Sequence, residues 1–136
     1  MTPEDVALVV ETAPLVHEDT EMVGRLYELL FERHPDVREM FPTDMSAQVH
    51  RFVTEIEVFA VAMPDLGAVE ERASQLGARH ARYGVRAAHF PFVRDALLDV
   101  LGERLGDRFT PAHRMAWARA YNLMAEIMLE SGARSG

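Results

Sequence analysis

The imidazole of His80 is the side chain best suited to hold a metal, because it interrupts a helical stripe that is otherwise apolar. The stripe advances in steps of three and four residues, the spacing of one helix face: Leu66, Val69, Ala73, Leu76 and His80. A neutral imidazole nitrogen is a common metal ligand. A lone histidine on a buried stripe is more often a hydrogen-bonded core residue, so His80 needs support from elsewhere in the chain.

That support comes from two further apolar stripes, each of which carries one polar side chain able to donate a hydrogen bond. The first is Met45, Gln48, Phe52, Ile56, Phe59 and Met63, and the second is Val23, Tyr27, Leu30 and His34. An imidazole, an amide and a phenol aimed into one apolar helical core are typical of a site for a large apolar cofactor with a metal at its centre.

Length and composition exclude several classes of protein and of functional site. A chain of 136 residues is expected to form one domain, 1–136, around one core. The net charge of -8 argues against a nucleic-acid partner, and the absence of cysteine excludes disulfides, thiolate metal sites and a cysteine nucleophile. No apolar run is long enough to span a membrane and no signal peptide is recognisable, so a cytoplasmic location is expected.

The elements that must position these side chains are all helical. Thr2-Pro3 and Thr110-Pro111 predict the starts of the first and last helices, the latter running toward Gly132 and followed by a short tail. Asp19-Thr20 predicts the start of a second helix, which Pro35 ends or kinks. Later boundaries are expected at Pro42, Pro64, Gly84 and Gly106, and no strand pattern is present. The fold class is therefore all-α, with six to eight helices.

Three segments resemble the globin family. Tyr27 to Phe41 is similar to the second helix and following corner of bacterial globins. Leu76 to Val93, with its His-Ala-Arg-Tyr-Gly-Val and His-Phe-Pro-Phe-Val pieces, resembles their proximal helix and the start of the next. Ala116 to Tyr121 resembles their final helix. The match is best to single-domain bacterial haemoglobins and to the globin part of flavohaemoglobins, and it implies the globin fold around a haem pocket.

The resemblance implies haem b (iron protoporphyrin IX) as the cofactor, with His80 as its proximal ligand and only metal ligand. The other ring nitrogen of His80 would donate to a backbone carbonyl, expected to be that of Leu76 one turn earlier. Phe41 would pack on the porphyrin at the corner after the second helix. Six residues are candidates for the remaining wall, and each is nearly as compatible with plain core packing: Phe52, Leu76, Val85, Phe90, Val93 and Leu97.

On the opposite face the resemblance implies Tyr27 and Gln48 as the distal pair. A phenol O–H and an amide N–H can both donate to bound dioxygen. Each such bond to a partly charged acceptor contributes roughly 1.5–3 kcal/mol, so two donors predict tight binding and slow release. A tyrosine bonded to a backbone carbonyl and a polar glutamine near a helix start are the alternatives.

The remaining histidines and arginines are assigned lesser roles. His50 lies about 200° around the helix from Gln48 and is expected to point away, although a slipped register would make it a distal ligand. His34 is expected to cap a helix end, and His89 to sit at a helix entry near a haem edge. His17 and His113 are expected at the surface. Arginines at three positions are open candidates for pairing with haem propionates: Arg51, Arg79 and Arg82.

Three classes of function remain open. The first is reversible binding of dioxygen, with nitric oxide and carbon monoxide as further diatomic ligands, in a monomer or homodimer. The second is nitric oxide dioxygenase activity, which would need a separate reductase. The third is a haem-free interaction domain, which the three polar residues argue against. Flavohaemoglobins polarise the proximal histidine with a tyrosine and a glutamate, and the corresponding positions here are Phe90 and about Gly132. The sequence therefore favours ligand binding over redox chemistry.

Overall fold

A computed structural model describes residues 1–19 and 21–135, and every regular element in that part of the chain is helical. Six α-helices are joined by short connections and two 3-10 segments: α1 (Pro3–Glu18), α2 (Met22–Arg33), a 3-10 segment (Pro35–Met40), α3 (Ser46–Ala62), α4 (Leu66–Arg82), α5 (His89–Leu105), a 3-10 segment (Gly106–Arg108) and α6 (Pro111–Ser135). The all-α expectation is confirmed. Within the described ranges no helix combines the length and the hydropathy needed to cross a bilayer.

The local signals in the sequence explain most helix ends. Thr2 caps α1 in a reciprocal capping box with Asp5, and Pro35 follows the end of α2 at Arg33. Gly84 takes a φ of 82° just after α4, and Gly106 takes a φ of 56° just after α5. Both conformations lie in the left-handed region that favours glycine, so these two residues turn the chain out of a helix.

Three local expectations are wrong. Leu66 is 63% exposed, because it is the first residue of α4 and projects beyond the buried face. His113 is buried, with 7% exposure, because the start of α6 packs under α1 and the Nδ1 of His113 accepts a hydrogen bond from the N–H of Thr110. The last helix continues to Ser135, so the described residues from Ser131 onward are helical and form no separate tail. The second helix begins at Met22, just after the Asp19-Thr20 start signal, of which Thr20 lies outside the described residues.

The helices pack in pairs around an apolar core. Helix α2 lies mainly against α5, and α1 lies against both α3 and α6. A buried hydrogen bond ties α1 to α6, since the indole N–H of Trp117 donates to Thr12 Oγ1 at 2.6 Å. Thr12 in turn donates to the carbonyl oxygen of Leu8 at 2.6 Å. The buried polar side-chain atoms of Trp117 and Thr12 are therefore hydrogen-bonded, as burial requires.

The closest approach between helices joins α4, which carries His80, to α6. At Gly77 the two backbones touch, and a Cβ atom there would overlap the backbone of Met128. At Gly132 a Cβ would lie 3.1 Å from the Cβ of Ala81 and 3.3 Å from the carbonyl oxygen of Gly77. Glycine is thus required for the contact that fixes α4 against α6.

Replacement of Gly77 by alanine is expected to lower the free energy of unfolding by about 1–3 kcal/mol, because the new methyl group meets backbone that cannot rotate away. Urea denaturation followed by far-UV circular dichroism measures the change. Gly24→Ala is the matched control, since Gly24 lies in α2 with open space around it. The control is expected to gain up to about 1 kcal/mol from helix propensity. Equal midpoints for wild type and Gly77→Ala would contradict the backbone contact.

Candidate functional site

Tyr27 lies at the centre of an aromatic cluster formed by α2, α3 and the corner between them. Its side chain is 5% exposed, and its ring centroid lies 5.8 Å from Phe31, 5.5 Å from Phe41 and 5.9 Å from Phe52. The stripe of α2 explains this position, because Val23 and Leu30, one turn before and after on the same face, are fully buried. The cluster brings together Tyr27, Phe41 and Phe52, three of the residues that the sequence predicts for the pocket.

Gln48 links Tyr27 to a cation through a directed pair of hydrogen bonds. A guanidinium can only donate, so the 3.1 Å contact between Arg51 Nη2 and Gln48 Oε1 fixes the amide oxygen toward Arg51. The amide nitrogen then faces Tyr27, and Gln48 Nε2 donates to the phenol oxygen at 3.0 Å. The phenol oxygen accepts in this bond, which leaves the Tyr27 hydrogen free to donate elsewhere.

Burial keeps the phenol protonated. Desolvation raises the pKa of Tyr27 to about 12, while the hydrogen bond from Gln48 and the charge of Arg51 act in the lowering direction. At neutral pH Tyr27 is therefore a neutral O–H donor. Burial therefore dominates the pKa of Tyr27, and the Arg51–Gln48 chain only partly offsets it.

The apolar face of α3 is only half-covered by the rest of the protein. Gln48, Phe52, Ile56 and Phe59 all keep intermediate exposure, and α3 contains no buried residue from Ser46 to Ala62. The other long helices each bury several apolar side chains. A stripe of this kind is the surface that a flat apolar ligand would cover.

His80 presents one ring nitrogen for a ligand. Its Nδ1 lies 2.8 Å from the carbonyl oxygen of Leu76, and a carbonyl oxygen can only accept, so Nδ1 carries the proton. The Nε2 lone pair of the neutral ring is then available to a metal. The ring is partly exposed and meets Tyr83 edge to face, with centroids 6.2 Å apart.

The predicted wall residues fall into two packed clusters. Leu76, Phe90 and Val85 belong to the cluster beneath His80, whereas Val93 and Leu97 belong to the main core with Tyr27. Phe59 and Tyr121 pack against both clusters and so join them. The fold thus places the wall residues in adjoining parts of one interior.

Tyr121 was not assigned a role from the sequence. Burial strongly raises the pKa of this phenol, and the neighbouring Tyr27 acts in the same direction. Tyr121 packs in the same cluster as Phe90. Phe90 occupies the position at which flavohaemoglobins are expected to have a tyrosine. The sequence names Tyr121 only as the end of the Ala116–Tyr121 segment that resembles the final globin helix, and this resemblance gives its phenol no role.

The other histidines make local contacts. His50 is exposed, as expected for a residue on the outer face of α3. The ring of His34, at the end of α2, stacks on Phe92 at 3.6 Å, and His89 Nδ1 accepts a hydrogen bond from the N–H of Arg86 at 2.9 Å. Exposed His17 lies 3.2 Å from Glu57.

Comparisons with known proteins agree with this architecture. The family model described as Globin matches residues 24–128. A globin-like protein of Aquifex aeolicus, described as uncharacterized, is 28% identical over 132 residues, which cover 95% of this chain and 92% of that protein. A flavohemoprotein of Bacillus subtilis is 28% identical over 128 residues, 91% of this chain. The chain spans about a third of that protein, with a coverage of 32%.

A solved structure from Rhodothermus marinus has a similar backbone. It superimposes with a TM-score of 0.88 at 27% identity, over 98% of this chain and 94% of the other. This structure is described as that of an engineered carbene transferase, made from a protein assigned as a nitric oxide dioxygenase.

The buried phenol of Tyr27 is expected to make stability depend on pH in the alkaline range. Its pKa is about 12 in the folded protein against an ordinary value of 10.0, so the folded state keeps a proton that the unfolded state loses. Below pH 10 the contribution of Tyr27 to the free energy of unfolding is therefore fully present. Between pH 10 and about pH 12 that contribution falls by about 1.4 kcal/mol per pH unit. Urea denaturation across this range measures the slope.

Tyr27→Phe is expected to remove this part of the slope. Tyr121→Phe is the companion variant, because the raised pKa of Tyr121 contributes in the same direction and should persist in Tyr27→Phe. Identical slopes for wild type and Tyr27→Phe would show that the phenol titrates alike in both states.

Proposed function

This chain belongs to the globin family and has the globin fold, and we propose that it holds haem b on His80 and binds dioxygen reversibly on the opposite face. The observation that carries the proposal is the proton arrangement of His80. Because its Nδ1 donates to the Leu76 carbonyl oxygen, the Nε2 lone pair is the one left for iron. The half-covered apolar face of α3 supports the same reading, since a flat porphyrin would cover it.

When bound, haem would supply a ferrous iron that takes dioxygen, nitric oxide or carbon monoxide. The chain would supply the rest of the site. The free hydrogen of Tyr27 would donate to the gas ligand, and Gln48 holds the phenol oxygen through its amide N–H. Phe41 and Phe52, both against Tyr27, exclude water from this side. The two distal residues therefore act as one unit in which Tyr27 is the principal donor.

Nitric oxide dioxygenase activity with a separate reductase is the second candidate. The Rhodothermus marinus relative is assigned that activity, and the flavohemoproteins carry the same kind of globin part. Two features of this chain favour simple binding instead. Phe90 has no hydroxyl, and Gly132 packs against Ala81, where a glutamate side chain has no room. Repeated consumption of nitric oxide, rather than one equivalent per haem, would favour the enzyme.

His80→Ala is expected to abolish stable haem uptake, because no other described side chain offers an equivalent imidazole to the pocket. Optical titration with haem, followed at the Soret band, measures the uptake. His50→Ala is the matched control, since His50 is an exposed histidine on α3, and it should bind haem as the wild type does. A five-coordinate ferrous spectrum with full haem uptake in His80→Ala would contradict the assignment.

Tyr27→Phe is expected to speed dioxygen release at least tenfold, since a hydrogen bond to a partly charged acceptor contributes roughly 1.5–3 kcal/mol. Stopped-flow replacement of dioxygen by carbon monoxide gives the rate. Gln48→Leu should have a smaller effect, because Gln48 acts through the phenol oxygen. A larger effect for Gln48→Leu than for Tyr27→Phe would mean that the amide is the direct donor.

A further inference from the structure

The charges of this chain are strongly segregated along the sequence. Residues 72–94 contain five arginines and no acidic residue: Arg72, Arg79, Arg82, Arg86 and Arg94. The other nine of the 14 arginines and all 22 acidic residues lie outside this segment, which leaves the rest of the chain with a net charge of -13. A protein of net charge -8 thus carries one acid-free basic segment, and that segment includes His80.

Three of these arginines are exposed and have no ion pair within the described residues. Arg72 pairs with Glu55 and Arg94 with Asp95, so the outer two charges are neutralised locally. Arg79, Arg82 and Arg86 make no such pair, although salt bridges are common elsewhere on the surface. They lie at the end of α4 and in the turn that follows. Three neighbouring positive charges without ion pairs create a local positive potential on an otherwise acidic protein.

An exposed aromatic ring lies among these arginines. Tyr83 is 69% exposed, and its ring contacts His80 edge to face at 6.2 Å. Tyrosine and arginine are the residues most enriched at the energetic centres of protein interfaces. We define Arg79, Arg82, Tyr83 and Arg86 as the arginine face.

We propose that the arginine face is the docking surface for an acidic electron-donor protein. The inference rests on the proposed function, because its purpose is the return of ferric haem to the ferrous state. The donor gives up one electron and is itself oxidised by one electron, while the iron gains that electron; no bond is made or broken. Docking over Tyr83 places the donor against the ring that contacts the proposed iron ligand, His80.

The charge distribution favours one approach direction for such a partner. An acidic protein is repelled by the net negative charge of the rest of the chain and attracted toward the clustered charges of the arginine face, so long-range forces both speed and orient the encounter. Two propionates of a bound haem would offset at most two of the three free charges. A nucleic acid or an anionic membrane requires a broader basic surface, and the surrounding net charge of -13 opposes both.

The test uses the purified protein and an acidic flavodoxin as the probe. Its oxidised form is titrated calorimetrically at low ionic strength, with haem-loaded protein and with haem-free protein. Its reduced form is then mixed with ferric protein in a stopped-flow instrument. Arg86→Gln is the test variant, because Arg86 is the one arginine of the arginine face that is not a candidate partner of the haem propionates. Arg108→Gln is the control, since Arg108 is an exposed arginine without an ion pair in the described residues and lies outside the basic segment.

The test variant is expected to weaken flavodoxin binding and slow reduction by about tenfold each, and the wild-type rate should fall as salt is added. Reduction by free reduced riboflavin, which needs no docking surface, should be unchanged. An equal loss in Arg108→Gln would overturn the proposal, as would full binding by the test variant. Binding of anionic lipid vesicles but not of flavodoxin would also overturn it. Absence of a Soret band, with salt-dependent flavodoxin binding retained, would instead contradict the proposed haem function and leave the docking surface in place.

Discussion

The contact between the backbones of α4 and α6 is the constraint on which the rest of the site depends. Gly77 allows α4 to lie directly on Met128 of α6, and Gly132 allows α6 to pass close to Ala81 of α4. The partner for His80 Nδ1 comes from the same helix, since the carbonyl oxygen of Leu76 lies 2.8 Å away. The packing of α4 on α6 therefore positions both His80 and the carbonyl group that fixes its proton.

The opposite wall of the interior is held more loosely, and the difference has a physical cause. Helix α3 has no fully buried residue, whereas α4 buries several against α6. A half-buried ion pair between Glu55 and Arg72 connects α3 to α4. Such a pair bounds how far the two helices separate without filling the space between them with side chains. Rigid packing on one side and a polar tie on the other suit an interior that receives a flat ligand.

Helical periodicity predicts the fold class, capping and proline signals predict the helix ends at Thr2 and Pro35, and the family resemblance predicts the pairing of Tyr27 with Gln48. Periodicity does not predict features that depend on packing between residues distant in the sequence. The burial of His113 depends on α1 covering the start of α6, and the backbone contact at Gly77 depends on a helix about fifty residues away. Arg51 lies three residues after Gln48, so helical spacing is enough to predict that the two side chains can meet. Helical spacing does not predict the orientation of the Gln48 amide, because that orientation depends on the simultaneous contact with Tyr27.

The two sides of the proposed haem site differ in electrostatics, and this difference favours holding dioxygen over reducing it. On the proximal side His80 donates to a neutral carbonyl oxygen, which draws its proton less strongly than a carboxylate would. In a haem-loaded protein the imidazole would therefore give less electron density to the iron. On the distal side Arg51 donates to Gln48 Oε1 and Gln48 Nε2 donates to the Tyr27 oxygen, and each donor in such a chain polarises the next. A gas ligand that draws electron density from a haem iron would be stabilised by that chain, whereas cleavage of an oxygen–oxygen bond would need a more electron-rich imidazole than one bonded to a neutral carbonyl oxygen.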